Sequence, residues 1–261
     1  MVDMSQPRTV RRALSTFSAV LLLALIGVVV VVIVRHGRER PVIVHTSGGV
    51  AAGSGSGFES AALPAKQPPV SPGFEGCPAE GDGGDRELNL LKNRVDSAAW
   101  KSTPFETVLG LSWPAGVSRR ARPEWSARDS VAISRHEGLP VTVEGYFVGA
   151  KQEGPESPNC HGADRTFRDW HIWLAEMPGK DRRHSIVVET TPVVRAMHPE
   201  WSLATIHKLV RDSTPVRVSG WLLFDQEHPE QLGKTRGTLW EIHPAMRIEV
   251  KQNGKWKGLG L

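Results

Sequence analysis

Beyond residue 138 the chain alternates apolar and polar side chains with a period of two, and this constrains its fold more than any other feature. Five runs carry the pattern, the spacing of strands with one packed face and one open face. In "LPVTVEGYFVGA" Val141, Val143, Gly145 and Phe147 share one face, leaving Thr142, Glu144, Tyr146 and Val148 on the other. "DWHIWLAE" sets Trp170, Ile172 and Leu174 against His171, Trp173 and Ala175. "SIVVET", "PVRVSGWLLFD" and "LWEIHPAMRIEV" supply the third, fourth and fifth runs, with Pro244 marking an edge or bulge in the last.

Between the third and fourth runs, "HPEWSLATIHKLVRD" changes period. Ser202 is placed to cap a helix whose stripe is Leu203, Ile206, Leu209 and Val210. The predicted order is strand, strand, strand, helix, strand, strand. Over residues 139–250 that order resembles the OB-fold, a small five-stranded barrel with its helix between strands three and four. Gly145 and Gly220 fall mid-strand, where barrel strands bend. The string "RGTLWEIHP" also resembles the endings of uncharacterised bacterial exported proteins, a likeness that implies no activity.

Ahead of the barrel, residues 86–138 read as a leading helical segment. Leu88, Leu91 and Val95 fall on one helical face, and Thr103, Pro104 and Glu106 have the spacing of a capping box. Residues 251–261 read as a C-terminal tail.

The N-terminal region has a different character. A basic tail, 1–16, precedes "FSAVLLLALIGVVVVVIV", eighteen uncharged residues at 17–34. As a helix this run spans about 27 Å, close to the hydrocarbon thickness of a bilayer. A cleaved signal would have a shorter apolar run and a small-residue cleavage site, and Arg35, His36, Arg38 and Arg40 stand there instead. A single transmembrane helix through the lipid bilayer is therefore expected. The flanking arginines tie, three on each side, so the orientation rests on the short N-tail remaining inside. Residues 35–85 are rich in Gly, Ser, Ala and Pro and read as a flexible stalk. The expected fold class is thus mainly β: one membrane helix, a stalk, short helices and a five-stranded OB-like barrel.

Net charge is +4 over the whole chain, and residues 1–40 contribute six arginines against Asp3 and Glu39. The basic surplus at the membrane flanks suits anionic headgroups. The loops flanking the barrel's usual binding face are balanced in charge, which argues against nucleic acid as partner. Two cysteines in an exported chain favour a Cys77–Cys160 disulfide.

The stretch "NCHGADRTFRDWHIWL" raises the question of a metal, with Cys160, His161, Asp169 and His171 in sixteen residues. The spacing matches no common ligand pattern, so neither metal nor other cofactor is expected. On the barrel, Glu144, His171, Glu189, Arg217, Glu241 and His243 project from the face opposite the apolar one. Such a set suits a solvated sheet with ordinary cross-strand ion pairs. It also suits acid–base or metal chemistry through His171, Glu189, Glu241 and His243. Tyr146, Trp173 and Trp221 are candidate stacking residues for a base or sugar.

The expected function is an extracytoplasmic binding or scaffolding module of the cell envelope, with an envelope protein or oligosaccharide as partner. The alternative is a metal-dependent hydrolase. The similarity to staphylococcal nucleases lies in strand order alone, and no catalytic residue carries over. Oligomeric state is not legible.

Overall fold

The computed structural model describes residues 69–260. The tail at 1–16, the apolar span at 17–34 and the stalk up to residue 68 lie outside the described residues. Among the described residues no helix is long and apolar enough to cross a membrane.

The five alternating runs form five strands of a closed mixed barrel. They are β2 (Pro140–Gln152), β3 (Trp170–Ala175), β4 (Ser185–Thr190), β5 (Pro215–Phe224) and β6 (Trp240–Gln252). The order is β2-β3-β4-β6-β5, and β5 pairs back onto β2 to close the ring. Only the β4–β6 contact within the ring is parallel. β2 closes the barrel because it bends: residues 140–146 pair with β5, and residues 146–152 pair with β3.

Glycine is required at the tightest crossings. A Cβ on Gly145 would stand 2.4 Å from the Ala175 carbonyl oxygen, and one on Gly220 equally close to that of Pro244. Near Gly220 the β5–β6 register also slips, so Pro244 sits at an irregularity as its chemistry requires.

Two flanking strands extend the sheet. β1 (Lys101–Ser102) lies parallel to the start of β2, and β7 (Lys255–Gly258) folds back on β6. Residues 251–258, read from sequence as a tail, are therefore a hairpin. Among the described residues five α-helices complete the fold: α1 (Arg86–Lys92), α2 (Phe105–Leu109), α3 (Ala127–Ser134), α4 (Pro192–Ala196) and α5 (Leu203–Arg211).

α5 is the helix expected between the third and fourth barrel strands. Ser202 accepts a hydrogen bond from the Thr205 amide, and Ile206 and Leu209 are buried. α4 was not legible because five residues are too short to show a helical period. The capping box expected at Thr103 does not form. The Thr103 amide donates to the Thr142 carbonyl as β1 docks on β2, and its hydroxyl turns to Lys101. Pro104 then caps α2 without a side-chain bond.

The folded unit also begins earlier than residue 86. Phe74 packs against the core, Phe74 and Cys77 form a bridge, and Cys77 is joined to Cys160 by a disulfide with Cα atoms 5.8 Å apart. Asp85 accepts from the Leu88 amide to start α1. A buried bidentate pair fixes the rest of the leading segment to the barrel. Arg122 donates to both Glu137 oxygens at 2.6 and 2.7 Å, and the Phe224 amide donates to the same carboxylate.

The consequence for function lies on β3 and β4. β4 is buried along both faces, and β3 is buried everywhere except Trp170. The face expected to meet solvent is covered. α1 packs against β6 and the 157–159 turn, and the 225–236 loop closes the other side.

Candidate functional site

β-Sheet register brings the site together. His171 lies directly across from Glu189 on the β3–β4 ladder. In the parallel β4–β6 ladder Val187 faces Glu241, so two residues on, Glu189 reaches His243. All four side chains project from the outer face, as the alternation places them.

They converge closely. His171 Nδ1 stands 2.7 Å from Glu189 Oε1 and 3.0 Å from Glu153 Oε1. The other Glu189 oxygen, Oε2, is 3.3 Å from His243 Nδ1, which also lies 3.4 Å from Glu241 Oε2. Glu189 thus sits between two imidazoles, one on each oxygen.

Two residues that sequence reasoning left out, Arg236 and Glu153, complete the set together with Asp169 of the cysteine-rich stretch. Arg236, only 1 % exposed, donates to Asp225 at 2.6 Å and to Glu241 Oε1 at 2.7 Å. Glu153 lies one residue past β2 and is also paired with Lys151. Asp169, fully buried at the mouth of β3, accepts from Asn159 Nδ2 at 2.8 Å through Oδ1. Its Oδ2 has no hydrogen-bond partner and faces His243 Nε2, likewise unpartnered, across 3.7 Å. The disulfide takes part indirectly. It holds the turn that carries Asn159, and Asn93 at the end of α1 donates to the Pro158 carbonyl at 2.7 Å.

The recess in front of these groups encloses about 60 Å³. Its walls carry Lys92, Lys151, His228 and Arg236 as well as the carboxylates. Burial alone would strip the charge from His171. The Glu153 and Glu189 carboxylates outweigh it and raise the ring to about 9. His228 rises to about 9 chiefly through its hydrogen bond to Asp225. Burial also works against a charged His243, but Glu241 and Glu189 hold its pKa up. Asp169 is pushed by burial to about 6, against the pull of His243. The site is an interlocked set of opposite charges, most of them buried, and not a row of solvated pairs.

That corrects the expectation of an exposed sheet for four of its six residues. Glu144 and Arg217 fit the ordinary pattern: they lie opposite each other on β2 and β5, and Arg217 forks onto Glu249 at 2.8 Å through both contacts. Two of the three stacking candidates present no open ring face. Trp173 is 3 % exposed and is covered by the Arg182 guanidinium at 3.8 Å. Trp221 is sandwiched by Arg94 at 3.5 Å and by Trp100 from the leading segment. Tyr146 is half-buried. Of the cysteine-rich stretch, Asp169 and His171 enter the cluster. Cys160 is taken up by the disulfide, and exposed His161 contacts the Asp82 carbonyl oxygen at 3.0 Å.

The charge balance gives a pH prediction. His171 and His228 bind protons more tightly folded than unfolded, and so does Asp169. The histidine contribution is complete below about pH 6.5, the unfolded value, and is lost as pH rises through about 9. Melting of the full chain should therefore fall in temperature between pH 6.5 and 9.5. Constant or rising stability across that window would contradict the arrangement. The chain matches no protein-family description, no curated protein and no solved structure.

Proposed function

We propose that the protein is a membrane-anchored module presented outside the cytoplasm on an OB-like barrel, and that it binds a compact polar ligand in the recess on β3, β4 and β6. The barrel's strand order, with a parallel contact between the third and fifth barrel strands, supports the OB-like reading. The uncharged run at 17–34 supports the anchor, and the disulfide suits an oxidising compartment outside the cytoplasm.

One observation carries the binding reading: His171, Glu189 and Glu241 converge on the wall of an enclosed recess, with His243 fully buried against the two carboxylates. The same enclosure argues against a chain-like ligand. Pockets for drug-sized molecules run about 300–1,000 Å³, and this recess holds about 60 Å³. Oligonucleotide and oligosaccharide grooves on such barrels also need open aromatic faces, and Trp173 and Trp221 are covered.

Fluorescence anisotropy with a labelled single-stranded oligonucleotide and a labelled oligosaccharide tests this directly. No saturable binding is expected up to about 100 μM at physiological salt. Micromolar binding of either would place the ligand on an open groove and overturn the recess reading. A metal-dependent hydrolase on the same face is the second reading, favoured by imidazoles held against carboxylates. Turnover of an activated phosphodiester with added manganese, lost in Glu189→Gln, would promote it.

A further inference from the structure

We infer that Asp169, Glu189 and His243 are the ligands of a divalent transition-metal ion at the inner end of this cluster. One donor atom from each of the three lies within 4.8 Å of the others. Asp169 and His243 are completely buried. Their facing atoms, Asp169 Oδ2 and His243 Nε2, lack hydrogen-bond partners. They are two of ten such side-chain atoms among the described residues, and these two face each other across a gap that an occupant would fill.

Their separation fits an ion better than a hydrogen bond. At 3.7 Å the two atoms are too far apart to bond each other. Metal bonds of about 2.0–2.2 Å at tetrahedral angles put neighbouring donors roughly 3.3–3.6 Å apart. Two carboxylates also neutralise a divalent charge in a place that solvent does not reach.

The surroundings orient each ligand. With His243 Nε2 on the ion, its Nδ1–H points to Glu241 Oε2 at 3.4 Å, and Arg236 holds the other Glu241 oxygen. This is the carboxylate–histidine–metal relay that fixes a ligating imidazole's tautomer. Asn159 holds Asp169 Oδ1, leaving Oδ2 for the ion. His171 binds Glu189 Oε1, so Oε2, which lies 3.3 Å from His243 Nδ1, is the Glu189 oxygen left to turn to the ion. Nitrogen and oxygen donors without sulfur suit zinc or manganese. Asp169 and Glu189 come from a loop end and a strand far apart in sequence, so no short ligand spacing announces them.

The metal site shares Glu189 with the recess proposed above, but the two fail separately. The full chain is loaded with zinc, dialysed and assayed by mass spectrometry for bound metal, with manganese in a parallel arm. One ion per chain is expected, with at least tenfold weaker retention in Asp169→Asn and His243→Gln and unchanged retention in Glu144→Gln. X-ray absorption at the zinc edge of the wild-type chain should give one imidazole among oxygen ligands. Glu153, His171 and Glu189 would give the same donor set, so if either variant fails to fold the spectrum of zinc-loaded His171→Gln decides the matter, and it should still show one imidazole. Loss of both metals on dialysis, retention unaffected in the folded variants, or an edge spectrum without imidazole would overturn the metal site. Any of those results alongside absent oligonucleotide and oligosaccharide binding would leave the recess reading standing.

Discussion

Replacing Arg236 with methionine is expected to destabilise the fold by about 3–5 kcal/mol. The guanidinium is buried between Asp225 and Glu241, and among the described residues no other side chain bridges those two carboxylates. Methionine fills much of the volume, so the loss isolates the charge. Two carboxylates are left in a dry place with one cation fewer, and their desolvation dominates the loss. His228 still contacts Asp225, which keeps the cost from being larger. For a unit of this size the melting temperature should drop about 6–20 °C. Chemical denaturation of the two proteins side by side measures it. A loss under about 1 kcal/mol would mean that water reaches the carboxylates and that the cluster is not dry. Adding Glu241→Gln to Arg236→Met should recover part of the loss, because the pair is coupled.

The second large effect belongs to the disulfide. Cys77 and Cys160 are 83 residues apart, and closing a loop of that length restricts the unfolded chain by about 4–5 kcal/mol. Reduction, or Cys77→Ser with Cys160→Ser, should lower the melting temperature by about 8–20 °C. It should also loosen the turn carrying Asn159, and with it Asp169. Non-reducing peptide mapping of the native protein should recover the cross-linked pair. Two free thiols in the native protein, or a melting temperature indifferent to reduction, would contradict this.

The barrel was legible in the sequence because half-buried strands announce themselves by alternation and because Ser202 is a strong cap. The shared face of His171, Glu189, Glu241 and His243 was legible for the same reason. Its burial was not. What covers the face is α1, a disulfide-held turn and the 225–236 loop; the turn and the loop have no period, and the Leu88 and Leu91 stripe of α1 does not report which surface it meets. Phe74 and Cys77 sit in a glycine- and proline-rich stretch whose composition resembles a stalk.

The residues whose place in the cluster sequence reasoning missed share one property: they lie off the strands. Asp169 ends an irregular loop, Glu153 comes just after β2, and Arg236 sits in a loop where it counted only toward charge balance. The one usable signal was the pair Glu241 and His243, two residues apart on a strand. Polar side chains at same-face positions fit poorly with a strand that is otherwise so apolar.

The outer face of β3, β4 and β6 forms a buried, charge-paired recess and not a solvated sheet. Nitrogen-15 NMR of the histidine rings, followed from pH 5 to 10 in the metal-free protein, tests it most directly. His171 should keep both ring protons at neutral pH and titrate at about 9, because Glu153 and Glu189 hold the charged ring. A His171 that loses its proton near 6.5, with ring protons exchanging freely with water, would contradict it.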